Sequence, residues 1–180
     1  MNEVDQYGMQ TIDAIKQLVV ANRYVQALVV LYSAIDTLAW VSLETGDVTR
    51  SAFCQWVDTY VFPEKLIGCT AQDLYAARCA IVHSGTTESK LSRDGKAREL
   101  WYVTSSLSAE RLQEYARSVG SNAHVIPFTL LVAAFTDGAM NFSEALTQNV
   151  ELESRCVERM KHWLRFVTLP PGDAPKHQSI

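Results

Sequence analysis

Between Arg23 and Glu44 the chain carries one charged side chain, Asp36, in a run that is otherwise apolar or small apart from Gln26, Ser33, Thr37 and Ser42. As a helix, Tyr24 to Leu43 is about as long as a bilayer is thick. Such a run must cross a membrane or be surrounded by protein. An aspartate near the middle is costly in lipid, and no basic cluster flanks the segment. The run therefore predicts a core helix enclosed by others, with no membrane association. The rest of the chain has material to enclose it: 48% of the 180 residues are hydrophobic and 20% are charged, a globular balance.

Around this run the sequence reads as helices. Met9, Ile12, Ile15, Leu18 and Val19 recur at three- and four-residue steps and predict a helix from about Val4 to Ala21. Thr49 or Ser51 opens another, with Phe53, Trp56, Val57 and Tyr60 as its stripe and Pro63 as its stop. Thr70, followed three residues later by Asp73, caps a helix that runs to about Ser84, where Gly85 ends it. Phe128 to Leu146 is apolar and helical, and is expected to be broken or loosened near Gly138. A last helix spans about Val150 to Val167 with Cys156, Met160, Trp163 and Leu164 on one stripe. Between these lies a different texture. Gly85 to Lys96 is polar, Glu99 to Thr104 and His124 to Pro127 have strand character, and Ser108 caps a short helix to Ser118. The expected architecture is all-α in the main. It is an up-and-down helical bundle in one domain over 1–168, with an inserted segment at about 86–127 that holds a short β-hairpin. A flexible tail over 169–180 would follow.

Several function classes are disfavoured. The formal net charge of −4 argues against a protein that coats nucleic acid through a broad basic face. Cys54, Cys69, Cys79 and Cys156 form no CxxC pair and the histidines are scattered, so no metal site is expected. Cys54, Cys79 and Cys156 lie within predicted helices and read as reduced thiols of a cytoplasmic protein. Gly-rich phosphate loops, a Gly-x-Ser-x-Gly elbow and HExxH are absent, so no cofactor is expected. His162 stands among Arg155, Arg159, Lys161 and Arg165, which could meet phosphates. Glu151, Glu153 and Glu158 dilute that charge, and the face reads as solvated. Trp56, Trp101 and Trp163 read as packing residues rather than stacking platforms, and His124 as a surface residue.

The chemistry-bearing anomaly is on the Thr70-capped helix. Leu74, Tyr75, Ala77, Ile81 and Val82 share an apolar arc, with Arg78 near its middle. A guanidinium keeps its charge and is expensive to bury alone. Asp36 is the matching isolated anion on the core helix, with Ser33 one turn before it. The two are expected to meet across a helix–helix contact. Either the pair fixes helix register, or Arg78 stands at the mouth of a wet cleft. His83 lies about 140° around a regular helix from Arg78. It can join Arg78 only at the helix end or through a second subunit. Taken alone it is a helix-terminal histidine favoured by the dipole.

Arg78-Cys-Ala-Ile-Val-His83 at the end of a helix resembles the signature of HEPN domains: an arginine, a short gap, then a histidine. With Leu31–Asp36, Phe53–Val61 and Leu74–His83, the chain is similar to a bacterial branch of that family over roughly residues 5–85. The resemblance implies a homodimer that acts on RNA without metal, of the toxin–antitoxin or antiphage-defence type. An antitoxin or other protein partner is also implied. His83 would be general acid or base and Arg78 would stabilise the phosphate. Asp36, Ser33, Tyr75, Cys79 and Ser84 are the supporting positions. Many active members carry a polar residue, commonly asparagine, after the arginine, and here it is Cys79. A noncatalytic module that binds a nucleotide or a protein therefore stays open beside the ribonuclease.

Overall fold

The computed structural model describes residues 2–63, 67–104 and 108–163. α1 (Glu3–Val20) opens on a capping box between Asn2 and Asp5 and turns at Asn22 into α2 (Tyr24–Ser42). That short turn folds α2 back along α1. α2 is the helix among the described residues long and apolar enough to cross a bilayer. Here it forms the centre of the protein, packed on α1 and on the helices at Arg50–Trp56, Ala71–Ser84 and Val150–Met160. Leu31, Tyr32, Ala34, Ile35, Ala39 and Val41 have no exposed surface, so the expected enclosure is met by neighbouring helices. Along α1 the buried residues are Val4, Gly8, Thr11, Ile12 and Ile15, whereas Met9, expected on the inner stripe, is exposed.

α3 (Arg50–Trp56) starts at the Thr49 cap and widens into a π-helical segment, Val57–Val61. The carbonyl of Tyr60 in that segment accepts from Asn141 Nδ2 of α7 at 3.0 Å. α7 (Phe128–Gln148) is continuous through Gly138, so the expected break does not occur. The glycine instead lets α7 approach the π-segment closely: a Cβ there would lie 2.7 Å from Val61 Cγ2 and 3.2 Å from Val61 Cα. Trp56, Tyr60 and Phe142 close the contact with edge-on ring packing.

α4 (Ala71–Ser84), α5 (Lys90–Arg93), β1 (Leu100–Val103), α6 (Ala109–Ser118), β2 (His124–Pro127) and α8 (Val150–Met160) complete the order. The inserted sheet has two strands, as expected, but they pair in parallel, with Leu100 opposite His124 and Val103 opposite Pro127. A tight turn joins antiparallel strands, whereas parallel ones need a crossover of a dozen residues or more. The segment 104–123, carrying α6, is such a crossover. Gln113 of α6 ties it down, accepting from Val125 N and donating to the Ala123 carbonyl, both at 2.9 Å. Leu100 and Ile126 enter the common core, and the buried hydroxyls of Tyr32 and Tyr102 meet at 2.6 Å. His124 is half-buried rather than on the surface, with Nε2 3.0 Å from the Ile67 carbonyl. The protein is thus a mainly helical bundle with a small inserted sheet. The sequence-predicted helical turns beyond Trp163, with Leu164 and Arg165, and the tail lie outside the described residues.

Candidate functional site

α4 is fixed at both ends by its own sequence. Thr70 and Asp73 form a reciprocal capping box, and Gly85 closes the helix in the left-handed region at φ 63°. His83 is therefore held in the last turn. Ala71, Asp73, Leu74, Ala76, Ala77 and Ala80 are buried, while Ile81 and Val82 are half-buried. The packed arc is thus centred on the small residues, and Arg78 stands on its shoulder rather than at its middle. Alanines let α4 lie close to α2 and α3 and leave the long side chains to spread over the edge.

Arg78 reaches across to α2. Its Nε donates to Asp36 Oδ2 at 2.6 Å and its Nη2 lies 2.6 Å from the same oxygen. The side chains are only 20% and 18% exposed. Burial raises the pKa of Asp36, and the bond and charge of Arg78 oppose this without reversing it. The reason is visible in the carboxylate: Oδ1 is buried without a hydrogen-bond partner among the described residues. For Arg78 burial acts downward, but Asp36 and the Cys79 thiol outweigh it, so the guanidinium is held in its charged form.

The third contact joins the two halves of the motif within one chain. Arg78 Nη1 lies 3.0 Å from His83 Nε2. Arginine has no acceptor, so it donates and the imidazole nitrogen accepts. The angular separation on the helix is bridged because Arg78 is long and His83 lies in the terminal turn. Of the roughly five N–H donors of a guanidinium, Asp36 and His83 engage three and the Cys79 thiol also bonds Arg78. Asp36 holds the Nε–Nη2 side of the fork and His83 takes an Nη1 hydrogen, so the N–H that is left on the distal side is what an anion can meet.

The supporting positions divide. Cys79 interacts with both Arg78 and Tyr75, and Tyr75 is braced edge-on by Phe53 with centroids 5.4 Å apart. Ser33 offers its carbonyl to Thr37 Oγ1 of the same helix. Ser84 donates to the Ala80 carbonyl at 3.0 Å. Neither serine is bonded to the Arg78 pair.

Arg78 and Asp36 open on a cleft of about 450 Å³ whose other walls include Thr37 and Trp40 of α2 and His162 and Trp163 beyond α8. Nothing in the sequence ties His162 and Trp163 to Arg78, because only the packing of α8 on α2 brings them there. The described basic positions around α8, Arg155, Arg159 and Lys161, each have a partner. Arg155 approaches Glu44 at 3.7 Å, and Lys161 pairs with Glu158. Arg159 donates to the Gly46 carbonyl at 2.7 Å and lies over the Trp40 ring at 4.4 Å. A general phosphate-binding face is not what those residues form. Compared with models of protein families, with curated proteins and with solved structures, the chain matches none.

Proposed function

We propose that this protein is a HEPN-like, RNA-directed protein that cleaves RNA without a metal ion and acts as a homodimer in the bacterial cytoplasm, in a toxin or defence role. The observation that carries the reading is the Asp36–Arg78–His83 chain of contacts, in which a fixed cation that lines a cleft also donates to an exposed imidazole next to it. The His83 Nε2 lone pair is held by Arg78 Nη1 at rest, and it serves as a general base once a bound phosphate draws that N–H onto itself. It would take the proton of a ribose 2′-hydroxyl as that oxygen attacks the adjacent phosphorus. The bond from phosphorus to the 5′ oxygen breaks, and a cyclic phosphate remains. The leaving oxygen takes a proton from a second acid, for which the partner's copy of the same histidine is suited. Arg78 meets the charge gathering on the phosphoryl oxygens from its distal side. Asp36 is a positioning residue that sets the plane of the fork.

Cys79 favours a second reading. A thiol is a weak donor, and it occupies the place beside Arg78 where a polar group would assist the phosphate. On that reading the cleft binds a nucleotide or a protein segment without cutting. Incubation of the purified protein with mixed RNA in EDTA, beside His83→Ala, separates the two. Cleavage that leaves cyclic phosphate ends and is lost in the variant supports the ribonuclease. Absence of cleavage by a folded protein refutes it, and RNA or nucleotide binding that depends on Arg78 then supports the module.

A further inference from the structure

We infer that the cleft beside Arg78 is a subsite for a single unpaired nucleobase, with the indole of Trp163 as its stacking platform, so that the nucleic acid taken is single-stranded. The inference rests on the RNA-directed reading of Arg78 and His83 and adds to it what the neighbouring wall selects. Trp163 is 40% exposed, in a chain whose other described large aromatics, Tyr115 apart, are not left that open. It is not loose: Tyr7 of α1 meets it edge-on, with centroids 4.9 Å apart at 76°. A braced aromatic that keeps an open surface loses little freedom when a flat ring is laid on it.

Trp40, the other indole of the cleft, is already covered by the Arg159 guanidinium at 4.4 Å. Trp163 is therefore the surface that remains. The volume of about 450 Å³ lies at the small end of ligand sites and suits one base rather than several. The distal side of the Arg78 guanidinium belongs to the same cleft, and His162 adds an exposed donor beside the indole. A base on Trp163 and its phosphate on Arg78 would thus be held together. A base inside a duplex is already stacked and paired, so this site selects unpaired strands. Stacking also answers the acidic net charge of −4, because a base-binding site does not depend on a broad basic surface.

The test uses the full chain and two fluorescent probes of equal length and charge. One is a mixed-sequence single-stranded oligonucleotide with 2′-fluoro sugars, which has no 2′-hydroxyl to attack. The other is the same chain without bases. We expect the abasic probe to bind roughly tenfold more weakly. Trp163→Ala should weaken the base-bearing probe by about the same factor and leave the abasic probe unchanged, while Trp163→Tyr, which keeps a stacking ring, restores most of the affinity. Circular dichroism checks that each variant is folded. Equal, Arg78-dependent binding of both probes overturns the base subsite and leaves the RNA-directed reading standing. Tighter binding of the corresponding duplex overturns the single-strand preference. No binding of any probe overturns both readings together.

Discussion

Arg98, in the segment leading into β1, holds Asp73 in the first turn of α4 from two directions. Its backbone N–H donates to Oδ1 at 2.7 Å, and its guanidinium donates to Oδ2 from Nε at 3.1 Å and from Nη2 at 2.7 Å. Asp73 is 3% exposed. The inserted segment is thereby fastened to the helix that carries Arg78 and His83. Removing the guanidinium leaves a buried carboxylate short of partners, so Arg98→Ala should cost about 3 kcal/mol, measured by urea unfolding.

Acid stability should reveal two aspartates acting in opposite directions. Burial works to raise the pKa of Asp73, but its bonds from Thr70 and Arg98 prevail and hold it below the ordinary carboxylate value. Its stabilisation is complete above the unfolded pKa and drains away as pH falls through the folded one. Asp36 is raised, by burial first. Its contribution is present below the unfolded pKa and lost as pH rises through the folded one. Unfolding free energy followed from neutral pH into acid should therefore fall less steeply in Asp73→Asn than in the parent. In Asp36→Asn it should fall more steeply.

The contact between Asp36 and Arg78 should be energetically coupled. Each side chain is four-fifths covered, so the loss of either strands the other. The single alanine variants should each cost about 3 kcal/mol, and the double variant should cost less than their sum by roughly 1–3 kcal/mol. Additive costs in a thermodynamic cycle would show that the pair is not a unit.

The main elements and this pair were legible in the sequence because local signals specify them. Caps at Thr49, Thr70 and Ser108 and stops at Pro63 and Gly85 act within a few residues, and a lone charge within each of two apolar stretches, Asp36 in α2 and Arg78 in Leu74–Val82, leaves few partners to choose from. What was not legible depends on distance. Whether two four-residue strands run parallel is decided by the path of α6 between them. Arg98 carries no mark that assigns it to Asp73, and nothing near Trp163 announces Arg78. Gly138 shows the same limit: a glycine inside an apolar helix reads equally as a weak point or as a close approach, and only the position of Val61 decides.

Two glycine substitutions should therefore act in opposite senses. Gly8 lies within α1, and a Cβ there meets nothing within 4 Å. Gly8→Ala should stabilise the protein by about 0.5–1 kcal/mol through helix propensity and the loss of freedom in the unfolded chain. In Gly138→Ala the same gain is outweighed, because the methyl group meets Val61 Cα at 3.2 Å and the Tyr60 carbonyl at 3.3 Å as well as Val61 Cγ2. Backbone cannot swing aside as a side-chain tip can, so a net loss of about 1–2 kcal/mol is expected. Thermal unfolding of the two variants beside the parent checks both signs.

The contact of Arg78 with His83 fixes which imidazole nitrogen carries the proton. Arginine can only donate, so at 3.0 Å His83 Nε2 must present its lone pair, and the hydrogen of the neutral ring belongs on Nδ1. Nitrogen NMR at slightly alkaline pH should show His83 mainly as the Nδ1–H tautomer, a preference that Arg78→Met abolishes. If His83 shows the Nε2–H tautomer in the folded parent, Arg78 does not donate to it in solution, and the Asp36–Arg78–His83 chain of contacts is broken at its last link.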